Sequence, residues 1–137
     1  MKRDIWGIFH DGVLRDFQGS IPGTLNLHVE IEYLRQLFNE PGSWFAVELQ
    51  GCSKFRYTKF EEQPTEDIGK LNLLEPEVLY VVSEHPLVLD CVEGTLELEY
   101  DAMRVTLPSG CEVSYESLAS ACEKYWNEWS ARAGGKT

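Results

Sequence analysis

A run of strict alternation between apolar and polar residues, from Leu25 to Tyr33, constrains the fold more than any other feature of the chain. Successive side chains of a β-strand point to opposite faces, so this spacing places every apolar residue of the run on one face. It predicts a half-buried strand that belongs to a sheet. The residues on its inner face are Leu25, Leu27, Val29, Ile31 and Tyr33.

Shorter apolar runs predict further strands on both sides of this one. At the N-terminus, Asp4 to Phe9 and Val13 to Gly19 flank the turn His10-Asp11-Gly12, so the two runs are expected to pair as a hairpin. The run Val78 to Val82 is continuously apolar, which is typical of a central strand. The remaining predicted strands are Trp44 to Leu49, Lys54 to Phe60, Leu87 to Val92, Thr95 to Tyr100 and Met103 to Leu107.

Three segments have helical signals. Leu34, Leu37 and Phe38 fit one or two helical turns, and Thr65 is placed to cap a short helix that runs to about Leu73. Ser114 resembles the N-cap of an amphipathic helix of about 15 residues. The apolar stripe of that helix is Leu118, Ala121, Cys122, Tyr125, Trp126 and Trp129.

These elements predict an α+β fold: a strongly bent, mainly antiparallel β-sheet or partial barrel, with the C-terminal amphipathic helix packed on it. The chain has 137 residues, and no repeat or Gly-, Pro- or Ser-rich linker divides it. We therefore expect one globular domain over residues 1–132, followed by a flexible tail over residues 133–137.

The N-terminal segment does not resemble a signal peptide, and no apolar run is long enough to cross a membrane. The four cysteines form no C-x-x-C pair, and their apolar neighbours predict buried free thiols rather than a zinc site or a disulfide. Both observations favour a cytoplasmic protein. Oligomeric state is left open, and any homodimer is expected to use the near-neutral first half or a sheet edge.

The negative charge is concentrated in the second half of the chain. The net charge is −11, and residues 61–137 hold five Lys/Arg against sixteen Asp/Glu, which accounts for all of it. Such a surface attracts basic partners and repels phosphate backbones and anionic membranes. The composition thus favours a basic protein as partner and argues against direct binding of nucleic acid or membrane.

The motifs that mark common phosphate, dinucleotide, hydrolase and zinc-protease sites do not occur in this sequence. No catalytic residue, metal site or cofactor is predicted on this basis. The sequence favours a protein that is not an enzyme. Many active sites, however, are assembled from residues that are distant in sequence and become neighbours only in the folded protein.

An acidic row on one predicted strand is the first candidate site. Glu97, Glu99 and Asp101 alternate with apolar residues, which places their carboxylates on one face, and Glu93 lies close by across a turn. These four residues are predicted to bind a basic partner. The alternative is that they form the solvated face of an ordinary strand.

A pocket between the sheet and the C-terminal helix is the second candidate site. Asp90 is notable because it interrupts an apolar strand, so burial would require a partner or a raised pKa. His28 lies on the polar face of the alternating strand, where it could line a groove or bind a metal, although a solvated strand face is the better explanation of the same pattern. The candidate pocket residues are Trp6, His28, Tyr57, Asp90, Tyr100 and Trp126.

Two functions follow from these sites. The first is a non-enzymatic acidic protein-binding module, of the inhibitor or immunity-protein type, that neutralises a basic partner. The alternative is a domain that binds a small molecule, or does weak catalysis on one, in the pocket between sheet and helix.

Overall fold

A computed structural model describes the backbone of residues 5–134 and the side chains of residues 5–131. Within these residues the chain forms eight strands and four helices. Their order is α1 (Ile5–Ile8), β1 (Val13–Gly19), β2 (Gly23–Glu30), α2 (Glu32–Arg35), β3 (Trp44–Cys52), β4 (Lys54–Lys59), α3 (Ile68–Leu74), β5 (Val78–Glu84), β6 (Leu87–Cys91), β7 (Gly94–Glu99), β8 (Ala102–Thr106) and α4 (Tyr115–Gly134).

The strands form two antiparallel sheets. A bent two-stranded ribbon, in which β3 and β4 pair with β8 and β7, runs from one sheet into the other. One sheet has the order β1-β2-β3-β8 and the other β4-β7-β6-β5. Strands β3 and β4 are separated only by Ser53, and β7 and β8 only by residues 100–101. Hydrogen bonds continue through the bend, where the Ser53 amide donates to Glu99 at 2.9 Å and the Asp101 amide to Gln50 at 2.8 Å. The predicted α+β class with a strongly bent antiparallel sheet is confirmed.

The sheets stay open, although their outer strands approach each other at one point. Val13 in β1 forms an isolated bridge with Glu77, and the Val78 amide donates to the Gly12 carbonyl at 2.9 Å. The inner faces of both sheets contribute to one apolar core. The predicted inward face of β2 is confirmed, because Leu25, Leu27 and Val29 are buried.

The C-terminal helix is present and is longer than predicted. Its N-cap is Ser114, whose hydroxyl accepts a hydrogen bond from the Ser117 amide at 3.0 Å, as expected. Leu118 on its apolar stripe is fully buried, and the helix makes its main contacts with α1 and α2. Residues 133–134 continue α4, whereas residues 135–137 of the predicted tail lie outside the described residues.

The predicted N-terminal hairpin is wrong. Ile5 to Ile8 form helix α1, and Asp4 lies outside the described residues. Trp6 and Phe9 are both buried, and their spacing of three places them on one face of a helical turn. A short apolar run fits either helix or strand by its spacing alone, so tertiary packing decides here.

The predicted central position of Val78 to Val82 is also wrong. Strand β5 is at the edge of its sheet, beside β6 alone, and its pairing has two register irregularities. Leu79, Tyr80 and Val82 are 44–56% exposed. A continuous apolar run usually indicates burial on both faces, and here it leaves apolar side chains at the surface instead.

Two further boundaries differ from the sequence prediction. Strand β2 ends at Glu30, and Tyr33 lies in α2. Asp67, rather than Thr65, caps α3, because its carboxylate accepts a hydrogen bond from the Gly69 amide at 2.9 Å. The Thr65 backbone instead pairs with Tyr57, which covers part of the edge strand β4.

Buried Arg35 organises the segment between α2 and β3. It is fully buried and donates three hydrogen bonds to backbone carbonyls, from Nε to Trp44 (2.8 Å), Nη1 to Glu40 (3.0 Å) and Nη2 to Pro41 (2.9 Å). Its guanidinium also lies 5.6 Å from the centre of the Phe45 ring. These contacts fix the loop that leads into the central ribbon.

Candidate functional site

The bend of the ribbon creates a cleft lined by carboxylates. The turn between β5 and β6 forms one wall, and the connection between β7 and β8 forms the other. Helix α1 closes one end, where Trp6 lines an adjoining cavity. We call this site the acidic cleft and define it by Trp6, Glu84, His85, Glu99, Tyr100 and Asp101. Its two adjoining cavities have volumes of about 230 and 190 Å³.

A hydrogen bond between Trp6 and Tyr100 ties helix α1 to the bend. The Trp6 indole Nε1 donates to the Tyr100 hydroxyl at 2.9 Å, and the hydroxyl lies 3.9 Å from Met103 Sδ. Trp6 is buried and Tyr100 half-buried. This pair brings together two of the predicted pocket residues that are 94 positions apart in sequence.

Burial raises the pKa of Tyr100, the Trp6 hydrogen bond opposes that rise, and the charge of Glu84 adds to it. The phenol is therefore neutral at ordinary pH, and the negative charge of the cleft resides on its carboxylates.

Gly51 and Asp101 shape the bend itself. Gly51 has a φ of +64°, which glycine adopts without steric cost, and the Asp101 side chain lies over it in the space that a Cβ would occupy. Asp101 is thereby held at the rim of the acidic cleft, and its carboxylate remains exposed.

No cationic side chain lines the acidic cleft among the described residues, since none of the residues that line it is Lys or Arg. Glu99 and Asp101 are exposed, and within the described part of the chain neither forms an ion pair. Two exposed carboxylates in a concave site attract a guanidinium or ammonium group.

The other two residues of the predicted acidic row lie elsewhere. Glu97 is half-buried on the outer face of its sheet, where its Oε1 is 3.5 Å from Lys54 Nζ on the neighbouring strand. Glu93 lies in the exposed turn between β6 and β7. The structure therefore places Glu99 and Asp101 in the acidic cleft and Glu93 and Glu97 outside it.

The six candidate pocket residues do not line one common cavity. Tyr57 is buried in the core, and burial raises its pKa to about 12. His28 lies on the outer face of the first sheet, stacked on Trp44 at 3.8 Å between ring centres and 2.9 Å from Asp16 Oδ2. Asp90 is half-buried on the other sheet and accepts a hydrogen bond from the Thr95 hydroxyl at 3.1 Å.

Trp126 borders a second concave surface, between α2 and α4. The His10 ring stacks on it at 5.7 Å, and Tyr33 and Tyr125 contact it edge to face. This open groove has a volume of about 490 Å³ and includes Asp11, Glu30 and Glu32 in its lining. Glu30 is already ion-paired with Arg15. One carboxylate of the groove is therefore already paired with a cation, whereas no described Lys or Arg lines the acidic cleft.

Neither Glu84 nor His85 is among the candidate site residues predicted from the sequence. His85 lies in the turn between β5 and β6, and that turn forms the wall opposite Glu99 and Asp101. No spacing in the sequence links these segments, because their proximity depends on the bend of the ribbon. The nearest signal in the sequence is the apolar run from Val78 to Val82, which stops two residues before Glu84.

The cysteines are free, and one of them differs from expectation. Cys52 and Cys91 are buried, as the apolar neighbours indicated, whereas Cys122 is only half-buried. Cys111 is exposed, so its predicted burial is wrong. It follows Gly110 in the turn after β8, where no element covers it.

Among the described side chains, no group of three or more His, Cys, Asp and Glu residues is arranged to hold a metal ion. None of the helices in the described part of the chain is both long and apolar enough to cross a membrane. Comparison with protein-family models, curated proteins and solved structures finds no match to this chain.

Proposed function

We propose that this chain is a non-enzymatic, acidic protein-binding module that neutralises a basic partner, as inhibitors and immunity proteins do. The observation that carries the proposal is the acidic cleft, with exposed Glu99 and Asp101 and no lining Lys or Arg among the described residues. A basic side chain of the partner would supply the missing charge there.

The physical case rests on charge and on shape. A net charge of −11 accelerates encounter with a basic protein, and a concave cleft concentrates the field at one place. Arginine is the best-suited group, because its planar guanidinium can hydrogen-bond to more than one carboxylate. Trp6 and Tyr100 give the cleft an aromatic end, and aromatic residues are common in the dominant contacts of protein interfaces.

The size of the cleft favours a side chain over a separate small molecule. Its cavities, of about 230 and 190 Å³, are smaller than ligand pockets, which usually range over about 300–1,000 Å³. We rank the small-molecule function second, and the place for it would be the groove at Trp126, whose volume of about 490 Å³ lies within that range. Four free cysteines, two of them buried, support a reducing compartment such as the cytoplasm.

The test compares two double variants with the same change in charge. Glu99→Gln with Asp101→Asn removes two carboxylates from the cleft, and Glu123→Gln with Glu128→Gln removes two exposed carboxylates from α4. Protein retained by the tagged wild type at low salt is identified, and its association rate is measured by stopped-flow at several salt concentrations.

The cleft variant should slow association at low salt by about tenfold and flatten its salt dependence, whereas the α4 variant changes the rate much less. Equal rates for the two variants would remove the cleft from the interface. Retention of a metabolite, with no protein, would support the small-molecule function instead.

A further inference from the structure

An exposed apolar surface lies next to the acidic cleft. Among the described side chains, several large apolar residues are exposed. Three of them lie on β5 and a fourth lies in the nearby β6–β7 turn. We call them the β5 patch: Leu79 (44% exposed), Tyr80 (56%), Val82 (56%) and Val92 (49%). Clustered exposure of this kind is uncommon on a monomeric surface and usually marks an interaction site.

Carboxylates surround this patch. Glu77 precedes β5 and Glu84 ends it, and Glu93 follows Val92 in the exposed turn. Asp90 is opposite Tyr80 in the strand pairing, and its hydrogen bond and charge raise the pKa of the Tyr80 phenol. From Val78 to Ser83 the strand itself has no charged residue. The patch thus has an apolar centre and an acidic rim.

Glu84 belongs both to this rim and to the acidic cleft, so the two surfaces are continuous. The backbone edge of β5 is partly occupied, because the Asp11 amide donates to the Val78 carbonyl at 2.7 Å and the Val78 amide donates to Gly12. A partner would therefore pack mainly on the side chains of the patch, rather than add a strand along its whole length.

We infer that the β5 patch is the apolar part of the partner-binding surface, and that it takes a partner surface with an apolar centre and a rim of Lys and Arg. This inference rests on the proposed function, since it extends the contact from the acidic cleft along β5. It follows the usual arrangement of interfaces, in which apolar contacts are surrounded by polar ones.

The acidic rim argues against a second copy of this chain as the occupant. A two-fold contact places the same patch on both sides, which would bring Glu77, Glu84 and Glu93 close to their own copies. Each chain also has a net charge of −11. A basic rim on the partner removes this repulsion.

Synthetic peptides test the inference without knowledge of the natural partner. One nine-residue peptide alternates arginine with valine, a second alternates arginine with serine, and a third alternates glutamine with valine. Each is titrated into the ¹⁵N-labelled protein, and changes in backbone amide shifts are mapped. The variant Tyr80→Ser/Val82→Ser removes the centre of the patch, and Leu73→Ser, at an 85% exposed site on α3, is the matched control.

The arginine–valine peptide should shift the amides of residues 79–82 and 92 together with those of 99–102, with an affinity at least about threefold higher than that of the other two peptides. Tyr80→Ser/Val82→Ser should abolish this advantage, and Leu73→Ser should preserve it. If the two arginine peptides give the same affinity and the same shift map, the apolar contact is refuted while the cleft stands.

A failure of both arginine peptides to shift residues 99–102 would count against the proposed function itself. Sedimentation of the protein alone gives an independent check. Concentration-dependent dimers that are lost in Tyr80→Ser/Val82→Ser would assign the patch to a second copy and overturn the inference.

Discussion

The buried Arg35 side chain holds the segment between α2 and β3 in place, because its guanidinium donates hydrogen bonds to three backbone carbonyls in residues 40–44. Lysine has the same charge as arginine but lacks the planar guanidinium with its several N–H donors. Arg35→Lys therefore leaves backbone carbonyls without hydrogen bonds in a buried site. We expect this variant to lose about 2–4 kcal/mol of unfolding free energy in urea.

Arg56→Lys is the control for this experiment, because Arg56 is half-exposed and its contact with Glu66 is a surface ion pair of 3.4 Å. Its substitution should cost about 1 kcal/mol or less. Equal losses of unfolding free energy in the two variants would show that the buried hydrogen bonds of Arg35 contribute little to stability.

Cys91 provides a prediction about alkaline pH. Burial raises its pKa from 9.0 to about 12, so the unfolded chain forms the thiolate at a lower pH than the folded protein does. This contribution to stability is complete below pH 9 and is lost between pH 9 and about 12, at about 1.4 kcal/mol per pH unit.

Urea unfolding at pH 8, 9, 10 and 11 measures this slope. Cys91→Ala should flatten it in part, because burial also raises the pKa of Cys52 and Cys122 and both contribute to the slope above pH 9. The change should be clearest between pH 9 and 10, since Tyr57, whose ordinary pKa is 10.0, contributes at higher pH. Ser120→Ala, at an exposed site on α4 with no group that titrates in this range, should leave the slope unchanged. An unchanged slope in Cys91→Ala would contradict the assignment.

Among the elements, helix α3 protects the edge of the first sheet. The Asn72 side chain accepts a hydrogen bond from the Phe17 amide at 2.6 Å and donates one to the Phe17 carbonyl at 2.9 Å. A side-chain amide thus takes the place of a neighbouring strand beside β1.

We expect Asn72→Ala to lower the unfolding free energy by about 1–2 kcal/mol and to speed hydrogen exchange at the Phe17 amide. Lys70→Ala changes an exposed residue of the same helix and removes no hydrogen bond to β1. It therefore tests whether faster exchange at Phe17 comes from a general change in α3 rather than from the loss of the Asn72 hydrogen bonds. If the Phe17 amide exchanges at the same rate in both variants, Asn72 does not protect the β1 edge of the sheet.

The elements that sequence predicted well are those whose signal is local. The alternation of Leu25, Leu27 and Val29 fixes the inward face of β2, and Ser114 marks the start of α4. Helix α1 and the edge position of β5 were missed, because both depend on which neighbour covers them. The acidic row is visible in the sequence, yet its division between the cleft and the outer face of the sheet depends on the bend of the ribbon, and its binding role stays a prediction.

At the scale of the whole molecule, the shared ribbon couples the two sheets. Gly51 lies in its bend with a positive φ, so Gly51→Ala adds backbone strain and displaces Asp101. We expect it to cost about 1–3 kcal/mol, and to accelerate hydrogen exchange in both sheets by similar factors.

Gly110→Ala is the comparison, since Gly110 also has a positive φ but no atom within 4 Å of the added Cβ. It should cost less than Gly51→Ala. Exchange that rises in one sheet alone would show that the sheets open independently, and would contradict the expectation of a single cooperative domain.

The ribbon also determines the order in which the chain can assemble during synthesis. Strands β3 and β4 pair with β8 and β7, which are translated only after more than thirty further residues. Until then the apolar faces of Leu49 and Phe55 have no β-strand partner on that side, and closing so long a loop is slow. The nascent chain is therefore expected to need protection by chaperones until residue 106 has left the ribosome.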